Sequence, residues 1–245
     1  MGNREMIRIA ALLLFMGCLQ LGLDESAPAQ SSAAVRPVVV ELYTSQGCSS
    51  CPPADVLLGE LSRMPHVTAL AFHVDYWDGI GWRDRFSLPV AVQRQHQYVE
   101  TLGLSSAFTP QVVIDGRRSF VGSDRSRIVS AMTQPFDAIP VIAEIGNGQL
   151  TVTVPDGPSR GDFDVNVAAY LPAASTRIGG GENSGKALDE FNIVRQFRSI
   201  GLWNGQRRVF HTELDSFPRD ATRVAVLLQQ VHQGPIAGSA VAVLR

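Results

Sequence analysis

Lysine is almost missing from this chain: of 21 basic residues, Lys186 alone is not an arginine. Charge of either sign is sparse, at 18% of residues, and the formal net charge is -2. With no basic surplus, nucleic acid and anionic membrane surfaces are excluded as partners held by a general field. Cysteine is rare, three in 245 residues. That excludes a small disulfide-stapled scaffold and leaves no second Cys pair to complete a zinc site. Neither Gly-x-Ser-x-Gly nor His-Glu-x-x-His occurs, which argues against the common hydrolase classes. What is present is ordinary globular material. Apolar residues make up 45% of a chain long enough for one large or two ordinary domains.

The amino end reads as an address. Arg4 and Arg8 make a short basic start, residues Ile7 to Leu23 are otherwise an apolar run, and Ala27-Pro28-Ala29 supplies small residues for a peptidase. Basic start, apolar core and small-x-small site in that order describe a secretory signal peptide over residues 1–29. The run is short for a membrane span, so no stable span is expected once it is cleaved. Cleavage also removes Cys18. Only Cys48 and Cys51 remain, in a periplasmic or secreted setting where disulfides persist.

Residues 30–36 are Ser- and Ala-rich, a loose start. Val38–Tyr43 is a β-branched apolar strand, Pro52–Met64 a helix with its stripe at Val56, Leu57, Leu58 and Leu61, and Val67–Val74 a second buried strand. The aromatic loop Asp75–Arg85 leads to a helix over Leu88–Leu102, a strand over Gln111–Asp115, and a helix through Met132 with Ser123 as its N-cap. Alternating strands and helices imply an α/β layer over residues 37–139. Beyond Pro140 the pattern changes. A hairpin around Gly146-Asn147-Gly148 and strands at Phe163–Tyr170, Arg208–Glu213, Val224–Val231 and Ala240–Leu244 imply a small β-rich, sandwich-like second domain over residues 140–245. Leu188–Phe197 is its one candidate helix.

Cys48-Ser49-Ser50-Cys51 stands between the first strand and the first helix. Residues three apart on a first helical turn lie close enough to form a disulfide. The positive end of the helix favours a thiolate at Cys48, and Cys51, deeper in the helix, is placed to resolve a mixed disulfide. On this reading Cys48 is the exposed, low-pKa thiol and Cys51 the protected one. Two other readings stay open. One makes the pair a permanent staple in an interaction protein, although so short a loop constrains the unfolded chain little. The other joins the pair with His73 in a copper or zinc site, since thiolate and imidazole suit both metals.

The second piece of chemistry is Phe108-Thr109-Pro110-Gln111. A proline immediately before a buried strand removes a ladder donor, and a cis peptide bond is one explanation. Val38–Tyr43, Cys48–Cys51 and Thr109-Pro110 together resemble the thioredoxin superfamily. Glu41–Asp55, His73–Asp78 and Phe108–Gln111 look like a secreted, thioredoxin-like proteobacterial family of unknown function. The resemblance implies an α/β thioredoxin-like domain in which Cys48 attacks, Cys51 resolves and Pro110 orients the partner's backbone. Thr109, Tyr76 and Trp77 would line the substrate groove, and protein thiols or disulfides would be the partners. It implies no cofactor and supplies no substrate.

Gly180-Gly181-Glu182-Asn183-Ser184-Gly185-Lys186 nearly spells a phosphate-binding loop, but Ala187 lacks the hydroxyl that would hold magnesium. It is expected to be a flexible surface loop.

Overall fold

Strand β1 (Val38–Thr44) is buried along its whole length and shows how the layers are built. Side chains alternate across a strand, so Val38, Val40 and Leu42 enter one core while Val39 and Tyr43 enter another. The computed structural model describes residues 37–158 and 161–244; the expected signal peptide over 1–29 and the expected loose start over 30–36 lie outside them. Helix α1 (Pro52–Leu61) and α3 (Arg125–Met132) pack on the first face of β1. Helix α2 (Pro89–Thr101) packs on the second. The N-cap of α3 is Asp124, whose carboxylate accepts from the Arg127 N–H, and not Ser123.

On one side β1 runs parallel to β2 (Val67–His73); on the other it runs antiparallel to β3 (Gln111–Ile114), which pairs with β4 (Arg118–Val121). The sheet does not stop there. Strand β8 (Ala187–Trp203) pairs with β2 through Ala71 and Ile193 and carries β7 (Phe163–Arg177), β10 (Arg223–Gln230) and β11 (Ile236–Val243) with it. The result is one eight-stranded mixed sheet in the order β11-β10-β7-β8-β2-β1-β3-β4.

This overturns the expected α/β thioredoxin-like domain followed by a sandwich-like β domain. The sheet draws strands from both sides of residue 140, and the fold is mostly β. Two long strands make the difference. β7 and β8 have 15 and 17 residues, well beyond the usual ~5–6. The first half of β8 reaches back beside β2 and α1, paired on its other side with the end of β7, and Leu188–Phe197 is strand, not helix. The remaining strands, β5 (Ile142–Gly146), β6 (Gln149–Val154) and β9 (Arg208–Glu213), form a small sheet. It packs Leu150, Val152, Val154 and Phe210 onto the β7 and β10 side chains around Trp203. No helix among the described residues is long and apolar enough to cross a membrane.

Candidate functional site

Strand β1 delivers the chain to the start of α1, where Cys48 and Cys51 are joined in a disulfide with Cα atoms 5.4 Å apart. Cys51 is the N-cap, and Pro52 and Pro53 occupy the first turn. Those prolines carry no N–H, and the next two amides, of Ala54 and Asp55, both donate to the Cys51 carbonyl at 2.8 and 3.2 Å. Donors at this helix terminus are therefore fewer than the motif alone suggests. The Ser50 hydroxyl lies 3.4 Å from Cys48 Sγ. Both cysteines are fully buried, at 0% exposure, so Cys48 is not the exposed member of the pair in the disulfide form.

Trp77 ties the cysteine turn to the proline loop. A Cβ on Gly47 would come within 2.9 Å of Trp77 Cβ, and Trp77 Nε1 donates to Thr109 Oγ1 at 2.9 Å. The Thr109–Pro110 peptide is cis. Pro110 meets Ala54 of α1 and Leu42 of β1 around Gly122, where the three side chains leave no room for a Cβ. Tyr76 is turned toward α2, donating to Gln95 Oε1 at 3.3 Å, with its ring 6.4 Å from that of Trp77. The structure thus brings Cys48, Cys51, Trp77, Thr109 and Pro110 to one end of the sheet, with Tyr76 at its margin.

Beneath the disulfide lies a buried polar network that motif reading misses. His73, at the end of β2, shares a 2.7 Å contact between Nδ1 and Asp84 Oδ2, and Glu190 Oε1 of β8 lies 3.9 Å from the same nitrogen. Gln46 is the hub. Its N–H donates to Asp84, its side-chain amide donates to both Glu190 oxygens, and its Oε1 accepts from Trp82 Nε1. Burial pulls the His73 pKa down, but Asp84, Glu190 and Asp55 outweigh it and lift the imidazole to about 8. Burial also works against ionised Asp84, yet His73 and the Gln46 and Phe86 amides hold that carboxyl below its ordinary value. Asp55, one turn after Cys51 on α1, is only 6% exposed. Burial lifts it to about 7 against the pull of His73. Its one sequence signal was position: a residue four along from Cys51 shares its helical face.

His73, Asp84 and Glu190 offer ligand atoms within 4.8 Å of one another. Their carboxylates are already taken. Asp84 accepts from two backbone amides and His73, and Glu190 from Gln46 and Thr176. The Cys48 and Cys51 sulfurs are bonded to each other, so the pair offers no thiolate to a metal shared with His73. His73 Nε2 is buried with no hydrogen-bond partner among the described residues.

The glycine-rich segment between β7 and β8 is no loose loop. Gly179, Gly180 and Gly181 lie against Gly81 and Trp82 so closely that side chains there would collide. Asn183 is fully buried and donates to the carbonyls of Gln46 and Cys48 at 3.0 and 2.9 Å. Lys186 Nζ donates to Asn183 Oδ1 at 2.9 Å, and Glu182 Oε2 accepts from the Ser49 N–H at 3.1 Å.

Among solved structures, an Agrobacterium tumefaciens protein is similar to this chain, at 27% identity and TM-score 0.74 over 85% of this chain and 94% of that one. HBP35 of Porphyromonas gingivalis is similar at TM-score 0.58 over 85% of this chain and 75% of that one. At 14% identity that second likeness is one of fold alone. No curated protein matches. A family described as a protein of unknown function, DUF1223, matches residues 39–229, and the chain belongs to that family.

Proposed function

We propose that this protein is an exported thiol–disulfide oxidoreductase acting on protein thiols or disulfides. The observation that carries the reading is the Cys48–Cys51 disulfide at the head of α1, with a buried carboxyl, Asp55, one turn below Cys51. In the dithiol form, the Cys48 thiolate attacks a partner disulfide and releases one partner thiolate. Cys51 then gives its proton to the Asp55 carboxylate and attacks the Cys48 sulfur. The second partner thiolate leaves and takes up the proton held at Asp55. The net exchange is one partner disulfide for the Cys48–Cys51 disulfide, and each step runs equally in reverse. Pro110 and Thr109 would hold the partner backbone beside Trp77. Export is supported by the basic, apolar and small-residue order of residues 1–29 and by a disulfide suited to an oxidising compartment.

One observation favours a rival. Both cysteines are fully buried, as in a purely structural bond. The redox potential decides between them. An exchange-active pair equilibrates with glutathione buffers, whereas a structural disulfide resists reduction below about -300 mV. A Cys51→Ala variant should also accumulate mixed disulfides with periplasmic partners, and Cys48→Ala should not. A pair that glutathione cannot reduce, with no trapped partner, overturns the proposal.

A further inference from the structure

The segment between β7 and β8 touches the cysteine turn at three places: Gln46, Cys48 and Ser49. Two of these contacts are Asn183 amide bonds to carbonyls and are purely architectural. The third is different in kind. An ionic side chain, Glu182, takes the amide hydrogen of the residue that follows Cys48. This matters because the turn is short of donors. Pro52 and Pro53 contribute none, the Ala54 and Asp55 amides are turned onto the Cys51 carbonyl, and the Cys51 amide onto the Cys48 carbonyl. A thiolate on Cys48 would be stabilised by amides aimed at it and opposed by any negative charge beside it. Glu182 removes a donor and supplies the charge together.

We propose that Glu182 is a positioning residue that sets the redox poise of the pair, holding it toward the disulfide by occupying the Ser49 amide. This goes deeper into the exchange reading and rests on it for its biological meaning. The hydrogen bonds from Ser49 hold the Glu182 carboxyl below its ordinary range, so its charge persists across neutral pH. The other charged groups about the pair are Lys186, which reaches Asn183 on the same segment, and the buried Asp55, His73, Asp84 and Glu190 beneath it. None of these takes the Ser49 amide.

The test uses the full exported protein as wild type, Glu182→Gln and Glu182→Ala, with Ser184→Ala as an exposed control on the same segment. Each is equilibrated with dithiothreitol buffers, and Cys48 alkylation in the reduced protein is followed against pH. Glu182→Gln keeps an acceptor but loses the charge, whereas Glu182→Ala loses both. The reduced fraction should rise in the order wild type, Gln, Ala. The equilibrium constant should shift by about threefold or more for Ala, the scale of one exposed charge interaction. Cys48 should alkylate faster at pH 6 by a similar factor, while Ser184→Ala follows wild type. Variants whose equilibrium and alkylation profile match wild type overturn the assignment. Dithiothreitol reads the poise whether or not the pair exchanges biologically. If the wild-type pair resists glutathione but shifts on loss of Glu182, the exchange reading fails and the Glu182 assignment stands.

Discussion

Asn183 joins its side-chain amide to the Cys48 carbonyl at 2.9 Å, across 135 residues of sequence, and with no exposure of its own. The same amide nitrogen serves the Gln46 carbonyl at 3.0 Å, so the turn that carries the cysteine is held from above by a strand connection. Asn183→Ala should leave two buried carbonyls without a donor, at a cost of about 2–4 kcal/mol. Asn183→Asp should do no better, since a carboxylate cannot donate. Urea unfolding would show this as a lower midpoint at an unchanged slope. A midpoint within experimental error of wild type for both variants would mean the bonds contribute nothing net.

Asp55→Asn should slow the protein and strengthen it together. The carboxyl titrates at about 7 in the folded chain against an ordinary 3.8. Its folded pKa is raised, so its contribution to stability is complete below about pH 4 and lost as pH rises through 7. An amide cannot ionise and escapes that loss, so the variant should unfold at higher denaturant at pH 8 and show little gain at pH 4. As a base, Asp55 works only when ionised. Wild-type resolution of a mixed disulfide should therefore speed up through pH 7, and the variant should lose that rise and at least about tenfold in rate at pH 8. Stopped-flow release of a chromogenic thiol measures the step. An unchanged pH profile would remove Asp55 from the mechanism.

His73 makes a second pH window. Its imidazole titrates at about 8 when folded against an ordinary 6.5, held up by Asp84, Glu190 and Asp55 in spite of burial. Stabilisation by the charged ring is therefore complete below about pH 6.5 and disappears as pH climbs through 8, a change on the order of 2 kcal/mol. His73→Gln should abolish the decline between pH 7 and 9. At pH 6 it should also cost about 3 kcal/mol, because Asp84 is left buried without its cation. Thermal melts in buffers from pH 6 to 9 test both statements, and a wild-type stability flat across that range contradicts them.

The sequence was most informative where the physics is local. β1, β2, α2 and β3 lie within a residue of their expected bounds, and α1 ends three residues before its expected end at Met64, because alternation, helical stripes and prolines mark them without outside help. It misled where partners are distant. Leu188–Phe197 carries apolar residues at spacings that suit helix or strand, and only pairing with Ala71 and the length of β7 decide the matter. The same pairing merges two expected domains into one sheet. The site divides likewise. Cys48, Cys51 and Pro110 stand in a recognisable order, whereas Asp84, Glu190 and Asn183 reach the cysteine turn at Gln46 from 38 or more residues away in the chain, by folding alone. Glu182 and Asn183 sat in view within a glycine-rich stretch, but composition says only that such a stretch turns. Here its glycines are needed for close approach to Gly81 and Trp82.

Gly122→Ala tests whether the position of Pro110 matters to exchange. Gly122 is buried, and its N–H donates to the Pro110 carbonyl at 2.9 Å. An added methyl would stand 2.9 Å from Pro110 Cβ, 3.0 Å from Ala54 Cβ and 3.0 Å from Leu42 Cδ1. Two of those neighbours are Cβ atoms fixed to backbone, so the crowding cannot be relieved by turning a side chain. The chain must move, at a cost of about 1–3 kcal/mol, and the part free to move is the proline loop, since β1 and α1 are locked in the core. Pro110 then shifts away from the head of α1. Exchange with a protein partner should slow by about tenfold, in line with the sensitivity of reacting geometries to displacements near 1 Å. Reduction by a small phosphine, which needs no backbone contact, should stay near the wild-type rate. Val56→Ala on α1, 52% exposed, serves as the control and should leave all three measurements close to wild type. If Gly122→Ala loses stability but keeps its rate with the protein partner, Pro110 has no part in holding that partner. The groove would then have to be sought along Trp77 and Tyr76 instead.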